Sequence, residues 1–191
     1  MEANEPKKEQ NTEEMDVMKQ FMELLGQQGM KEQSQDFMEV LQYIAGMQLQ
    51  LSAMVDELQG VRKQLERMQE SQPKAAESQL LDKVSYLQEK VSSLAERLSE
   101  LKDHLIDTAA QAVTAFKEKG REEMNRVLQK GISGVQSVLS GCREKMVDVL
   151  TSYEKTANQI DSIGDEFKQI GNSVANVCLL YTSPSPRDST S

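Results

Sequence analysis

A repeat of apolar residues at alternating spacings of three and four is the feature that most constrains this chain. The spacing places these side chains on one stripe of an α-helix, which must be buried against another helix. Its first stretch runs without a polar interruption over more than four heptads, as is typical of a coiled-coil seam. This first seam comprises Phe37, Val40, Ile44, Met47, Leu51, Met54, Leu58, Val61, Leu65 and Met68.

Two further seams follow. The second comprises Leu80, Val84, Leu87, Val91, Leu94, Leu98, Leu101 and Leu105, and smaller residues then continue its register at Thr108, Ala112 and Ala115. The third comprises Leu128, Ile132, Val135, Leu139, Cys142, Met146, Val149, Tyr153, Thr156, Ile160, Ile163, Phe167, Ile170, Val174 and Val177. The third is one residue out of phase with the second, which indicates either a stutter in one helix or, as we favour, two helices separated near Gly120.

These patterns predict an all-α fold of long coiled-coil-like helices, folded back as antiparallel hairpins, with a short N-terminal helix. Pro73 favours a turn after the first seam, since proline lacks the N–H that a helix interior needs. The predicted segments are a disordered N-terminus (1–12), a short Met-rich helix and turn (13–30), a first long helix (31–72), a second (73–119), a truncated third (120–177) and a non-native tail (178–191).

The short helix carries an apolar stripe rich in methionine. Thr12 is its predicted N-cap, and Gly26 and Gly29 provide its end. Methionine is common in adaptable partner-binding grooves, although it can equally fill ordinary core positions. Together with two residues at the middle of the long seams, this stripe supplies the candidate partner-interface residues, which are Met15, Met18, Met22, Leu25, Leu58 and Leu94.

Charge and composition exclude several functions. The 22 Lys and Arg against 31 Asp and Glu give a net charge of −9, which disfavours nucleic-acid binding because that affinity depends on basic contacts with phosphates. No apolar run reaches the roughly 20 residues that cross a bilayer, and the first residues lack the apolar core of a secretory signal. The sequence therefore predicts a cytoplasmic protein without an integral membrane segment.

Few residues are suited to catalysis. His104 is the only histidine and flanks the second seam, so no second imidazole is available for a metal site or a proton relay. Cys142 lies on the third seam, where a free thiol behaves as a small apolar residue. Phosphate-binding glycine loops, nucleophile elbows and paired-cysteine metal spacings are missing from the sequence. We expect no enzymatic activity, no cofactor and no metal.

The last fourteen residues break with the helical pattern. They read CLLYTSPSPRDSTS, and Cys178 to Asp188 matches the translation of a transposase-based sequencing adapter. We therefore expect a non-native tail and a truncated native C-terminus; the alternative is a genuine Pro/Ser-rich tail. Without the tail one cysteine remains, which cannot form an internal disulfide and fits a reducing compartment.

Met15 to Leu51 and the stretch QAVTAFKEKG (Gln111 to Gly120) resemble an uncharacterised family of helical proteins encoded on integrative and conjugative elements of gut Firmicutes. The similarity extends over most of residues 15–177. The resemblance implies a bacterial cytoplasmic protein carried on a mobile element, and it brings no functional residue with it.

Two functions follow as hypotheses. The first is a non-enzymatic coiled-coil scaffold that binds a protein partner or self-associates through its helical seams. The second is an amphipathic-helix protein that coats a neutral lipid or polymer surface with the same stripes. Its polar faces are not Lys-rich, so an anionic membrane is not the expected surface.

Overall fold

The computed structural model describes residues 5–71 and 75–161. Within these ranges the chain forms only helices, namely α1 (Glu5–Gln27), α2 (Lys31–Ser71), α3 (Ala75–Lys119) and α4 (Arg121–Asp161). The prediction of an all-α fold with long helices folded back on one another is confirmed. The predicted turn at Pro73, the third seam beyond Ile160 and the tail at 178–191 lie outside the described residues.

The N-terminal helix begins earlier than the sequence indicated. We expected disorder up to residue 12 and a helix from Glu13, whereas α1 begins at Glu5 and includes residues 5–12. This part of the prediction was wrong. Pro6 gave the misleading signal, because proline is well tolerated in the first turn of a helix, where its missing N–H has no intrahelical partner to lose. The Lys, Glu and Gln residues that follow have high helix propensity.

A glycine in the left-handed conformation ends α1. Gly29 has φ of +67°, and its N–H donates to the carbonyl of Gly26 at 3.2 Å. The Met30 N–H donates to the carbonyl of Leu25 at 2.9 Å, and the side chains of Met30 and Leu25 are both buried. This pair of bonds is the Schellman arrangement, which satisfies the last carbonyls of a helix and turns the chain.

A single residue separates α3 from α4. Gly120 has φ of +91°, its N–H donates to the Phe116 carbonyl at 3.0 Å, and its own carbonyl accepts the Met124 N–H at 3.2 Å. Gly120 thus closes α3 and opens α4. A left-handed φ of this size is readily available only to glycine.

The described helices divide into two compact units. The first unit contains α1, residues 31–44 of α2, residues 99–119 of α3 and residues 121–140 of α4. The Phe21 and Phe37 rings pack with centroids 4.8 Å apart at 57°. The other buried apolar side chains of this core are Leu25, Met30, Val40, Ile44, Leu101, Leu105, Ala109, Ala112, Met124, Leu128, Ile132, Val135 and Leu139.

The second unit contains residues 45–71 of α2, 75–98 of α3 and 141–161 of α4. Its core is formed by the remaining parts of the three seams. The buried apolar side chains are Met47, Leu51, Met54, Leu58, Val61, Leu65, Leu80, Val84, Leu87, Val91, Leu94, Leu98, Cys142, Met146, Val149, Leu150, Tyr153 and Ile160.

Candidate protein-interaction surfaces

A methionine surface lies along α1 in the first unit. We define it as Met15, Met18 and Met22, which recur at spacings of three and four. Met15 is 72 % exposed, while Met18 and Met22 are half-buried. The Met22 sulfur accepts a hydrogen bond from the Ser34 hydroxyl of α2 at 3.9 Å. The surface therefore has an anchored end at Met22 and an open end at Met15.

The methionine surface lies at the edge of the buried face of α1, and the centre of that face is formed by other residues. The fully buried residues of the helix are Phe21 and Leu25. Leu25 was predicted as a partner-interface residue, but the structure places it in the core and not on the surface, and the sequence analysis did not name Phe21. Phe21 also fits the three-and-four spacing, because it lies three residues after Met18 and four before Leu25. The larger apolar area of phenylalanine compared with methionine could have indicated that Phe21 is the core residue, since aromatic side chains dominate core energetics.

The other two candidate interface residues lie in the core of the second unit. Leu58 of α2 is 2 % exposed and Leu94 of α3 is 3 % exposed. In this arrangement they pack within the chain, and the structure does not bring them onto the surface. Their part in binding a partner stays a prediction, and it would require the seams to open.

A basic groove runs between α3 and α4 in the second unit. It has a volume of about 280 Å³ and is lined by Lys90, Ser93, Leu94, Arg97, Lys145, Asp148 and Val149. Leu94 and Val149 are buried and form an apolar floor. Lys90, Arg97, Lys145 and Asp148 are exposed, so three cations and one carboxylate line the groove.

Two of these cations also affect the Cys142 thiol. Burial raises the pKa of the Cys142 thiol, and Arg97 and Lys145 oppose that rise. Arg97 belongs to α3 and Lys145 to α4, so the two cations act on the same sulfur from different helices. The raised pKa keeps the thiol protonated and makes Cys142 a poor nucleophile.

A second, wider groove of about 860 Å³ lies between α2 and α3 in the second unit. Most of its lining residues are polar or charged, including Gln59, Arg62, Glu66, Gln88 and Glu96. Arg62 donates both to Glu66 at 3.1 Å and to Gln88 at 3.0 Å. The groove is therefore polar, and Arg62 bridges its two helices through Glu66 and Gln88.

Metal-ligating side chains do not cluster in the described ranges. No group of three or more His, Cys, Asp or Glu side chains in the described ranges could hold a metal ion. His104 is exposed on α3. No helix in the part of the chain that the structure describes is both long and apolar enough to cross a membrane.

Comparison with known proteins gives one match. The model of a family of unknown function (DUF6674) matches residues 14–182, which include all of the methionine surface and the basic groove. No curated protein matches the chain, and no solved structure matches it.

Proposed function

The chain belongs to this family of unknown function, DUF6674, and from that premise we propose that it is a non-enzymatic helical scaffold that presents the α1 methionine surface to a protein partner. The observation that carries the proposal is the exposure of Met15, at 72 %, beside the half-buried Met18 and Met22. Methionine is flexible and polarisable, so a row of such residues adapts to partners of different shape.

The rest of the bundle supports this role by holding the surface in place. The apolar side chains of the seams are buried against one another within the chain, and Phe21 and Phe37 fix α1 against α2. Interfaces take most of their affinity from a few apolar or aromatic anchors on a firm support. Met15 is in the position of such an anchor.

A non-enzymatic role agrees with the chemistry of the described side chains. His104 is exposed, Cys142 is buried with a raised pKa, and the grooves are open and lined mainly by charged and polar residues. We place the protein in the bacterial cytoplasm and on a mobile element, on the strength of the resemblance at residues 15–51 and 111–120. Its partner is then a protein encoded on the same element.

The alternative of coating a neutral lipid or polymer surface requires the seams to leave the core. The described seam residues are buried or, at Met68 and Ala115, half-buried. Exposing them to an interface would remove the packing that defines both units. The scaffold role uses the folded chain as it stands, and we prefer it for that reason.

A photo-crosslinking amino acid introduced at position 15 tests the proposal. Leu49 is the matched control because it is also 72 % exposed. The full chain is co-expressed with the proteins encoded beside it on its source element. We expect a specific crosslinked protein from position 15 and none from position 49, and Met15→Glu should abolish co-purification of that protein while Leu49→Glu preserves it.

Equal crosslinking from both positions, or none from either, would overturn the proposal. Circular dichroism of each variant verifies that the helices are intact. Because both side chains are exposed, neither substitution should alter helicity.

A further inference from the structure

We propose that the basic groove of the second unit binds the acidic methionine segment of α1, Glu13 to Asp16, from a second copy of this chain. The inference rests on the proposed function, since it names the partner of the same α1 surface. It depends on two complementary surfaces that the chain carries at different places.

The lining of the groove is net positive, with three cations and one carboxylate. Lys90 and Arg97 are seven residues apart and so project from the same face of α3, while Lys145 projects from α4. Tyr86, whose ring lies 4.9 Å from the Lys90 nitrogen, raises the pKa of Lys90, and Asp148 adds a smaller contribution. Asp148 offsets part of the positive charge, and three cations against one carboxylate leave the lining net positive.

Arg97 and Lys145 form no ion pair with a carboxylate of the described residues. Among the described residues no carboxylate lies within 4.0 Å of either cation, whereas Arg62 pairs with Glu66 and Arg126 pairs with Glu123. Both cations line the same groove, one from α3 and one from α4. The groove therefore presents the positive charges of Arg97 and Lys145 beside the apolar floor of Leu94 and Val149.

The segment on α1 has the matching chemistry. Met15 is the exposed apolar residue, and the acidic residues Glu13, Glu14 and Asp16 surround it. Lys19 is the one basic residue in the next turn, so residues 13–19 remain net negative at 1 − 3 = −2. An unbranched methionine side chain can reach an apolar floor while its neighbouring carboxylates meet a basic rim.

Charge also selects this orientation over others. With a net charge of −9, two copies repel one another at most approaches. A cationic groove that receives an acidic segment offers an approach at which the local interaction is attractive. The contact is head-to-tail, because the two surfaces differ, and each bound copy keeps one free segment or one free groove for a further copy.

Charge reversal tests the inference with the full chain. Arg97→Glu with Lys145→Glu reverses the groove, and Glu13→Lys, Glu14→Lys with Asp16→Lys reverses the segment. We expect sedimentation to show self-association of the parent chain at about 100 µM and low salt, with Kd raised at least about tenfold by either reversal. Raising NaCl from about 50 to about 500 mM should weaken the association, because exposed charges are screened.

Mixing the two reversed chains gives the sharpest result. Each reversed chain alone should associate more weakly than the parent, and the mixture should associate again because both contacts become complementary. Lys63→Glu with Lys155→Glu reverses two other exposed cations of the second unit and should leave association unchanged.

Three results would overturn the inference. They are a parent chain that is monomeric at low salt, association that neither charge reversal weakens, and a mixture of the two reversed chains that does not associate. The crosslinker at position 15 separates this failure from that of the proposed function. Crosslinking only to a different protein leaves the scaffold proposal intact and rejects the second copy, whereas no crosslinked protein rejects both.

Discussion

Gly131 of α4 faces the side chain of Thr108 of α3 in the first unit, so closely that a Cβ at position 131 would lie within 3.0 Å of the Thr108 Cβ and nearer still to its two terminal atoms. The Thr108 hydroxyl donates to its own helix, at the His104 carbonyl, at 2.9 Å. Thr108 is β-branched and therefore restricted at χ1, so it cannot readily move aside. The missing side chain of Gly131 lets the two helices approach.

Gly131→Ala should therefore destabilise the protein by about 1–3 kcal/mol through overpacking. Gly134→Ala is the matched control, because nothing lies within 4 Å of its added Cβ. It should stabilise the chain by about 0.5–1 kcal/mol, since alanine favours the helix over glycine. Thermal and urea unfolding monitored by circular dichroism measure both. A Gly131→Ala variant as stable as Gly134→Ala would contradict the close contact. Thr108→Ala removes the two nearest atoms and should restore part of the stability lost in Gly131→Ala, since the Thr108 Cβ at 3.0 Å remains.

Gln50 of α2 is a costly residue in the core of the second unit. It is 2 % exposed, and neither its amide nitrogen nor its amide oxygen has a hydrogen-bond partner among the described residues. A buried polar group without partners destabilises the folded state by the full free energy of its desolvation, because no hydrogen bond within the protein replaces those it made with water. Gln50→Met should thus raise the free energy of unfolding by about 1–3 kcal/mol. Gln59→Met, at an exposed position, should change it by less than about 0.5 kcal/mol. Lower stability of Gln50→Met in urea would refute this account.

Glu57 should give the folded state a specific pH dependence. Its pKa is raised above the ordinary value of 4.5, chiefly by burial, while the hydrogen bond from the Tyr153 hydroxyl at 3.3 Å opposes the rise. The folded state therefore binds more protons than the unfolded state between the ordinary and the raised pKa. Stability from this residue is present below that window and is lost as the pH rises through it.

The measurement is urea unfolding of the parent chain and of Glu57→Gln from pH 4 upward. The parent should lose stability relative to Glu57→Gln as the pH rises, because glutamine does not ionise. Tyr153→Phe removes the opposing hydrogen bond and should move the transition to higher pH. Parallel pH profiles for the parent chain and Glu57→Gln would show that Glu57 does not contribute.

The seams should not tolerate a charge at their centre. Leu58→Lys or Leu94→Lys places an ammonium group in the core of the second unit, and we expect a loss of at least about 3 kcal/mol with reduced helicity. Leu49→Lys, on the same helix as Leu58 but exposed, should leave the circular dichroism spectrum and the melting temperature nearly unchanged. Unchanged helicity in the Leu58 and Leu94 variants would argue against the intramolecular seams.

Cys142 should be protected from thiol reagents in the folded chain. It is buried, and burial raises its pKa, so both access and thiolate population are low. In a chain that carries Cys178→Ser, we expect labelling of Cys142 to be at least about tenfold slower in native buffer than in urea. Equally rapid labelling under both conditions would show that the second unit opens readily.

Periodicity in the sequence was sufficient for the helices and their buried faces. From Val40 to Leu65 and from Leu80 to Leu105 the three-and-four spacing identifies side chains that the structure buries, because only one stripe of a helix can face its neighbours. The glycines at positions 29 and 120 likewise mark chain reversals through their left-handed φ values. These features depend on local geometry, so the sequence by itself determines them.

The tertiary structure decided what local patterns leave open. Both the methionine surface and Phe21 fit a three-and-four spacing on α1, so the spacing alone does not show which is buried. The structure buries Phe21, which packs against Phe37. The glycines of α4 are alike in sequence, yet Gly131 alone among Gly131, Gly134 and Gly141 meets a neighbouring side chain. Arg97 and Lys145 are far apart in the chain and share a groove only because α3 and α4 pack together. Such contacts depend on how helices are rotated and paired, which is a property of the whole core and not of any one stripe.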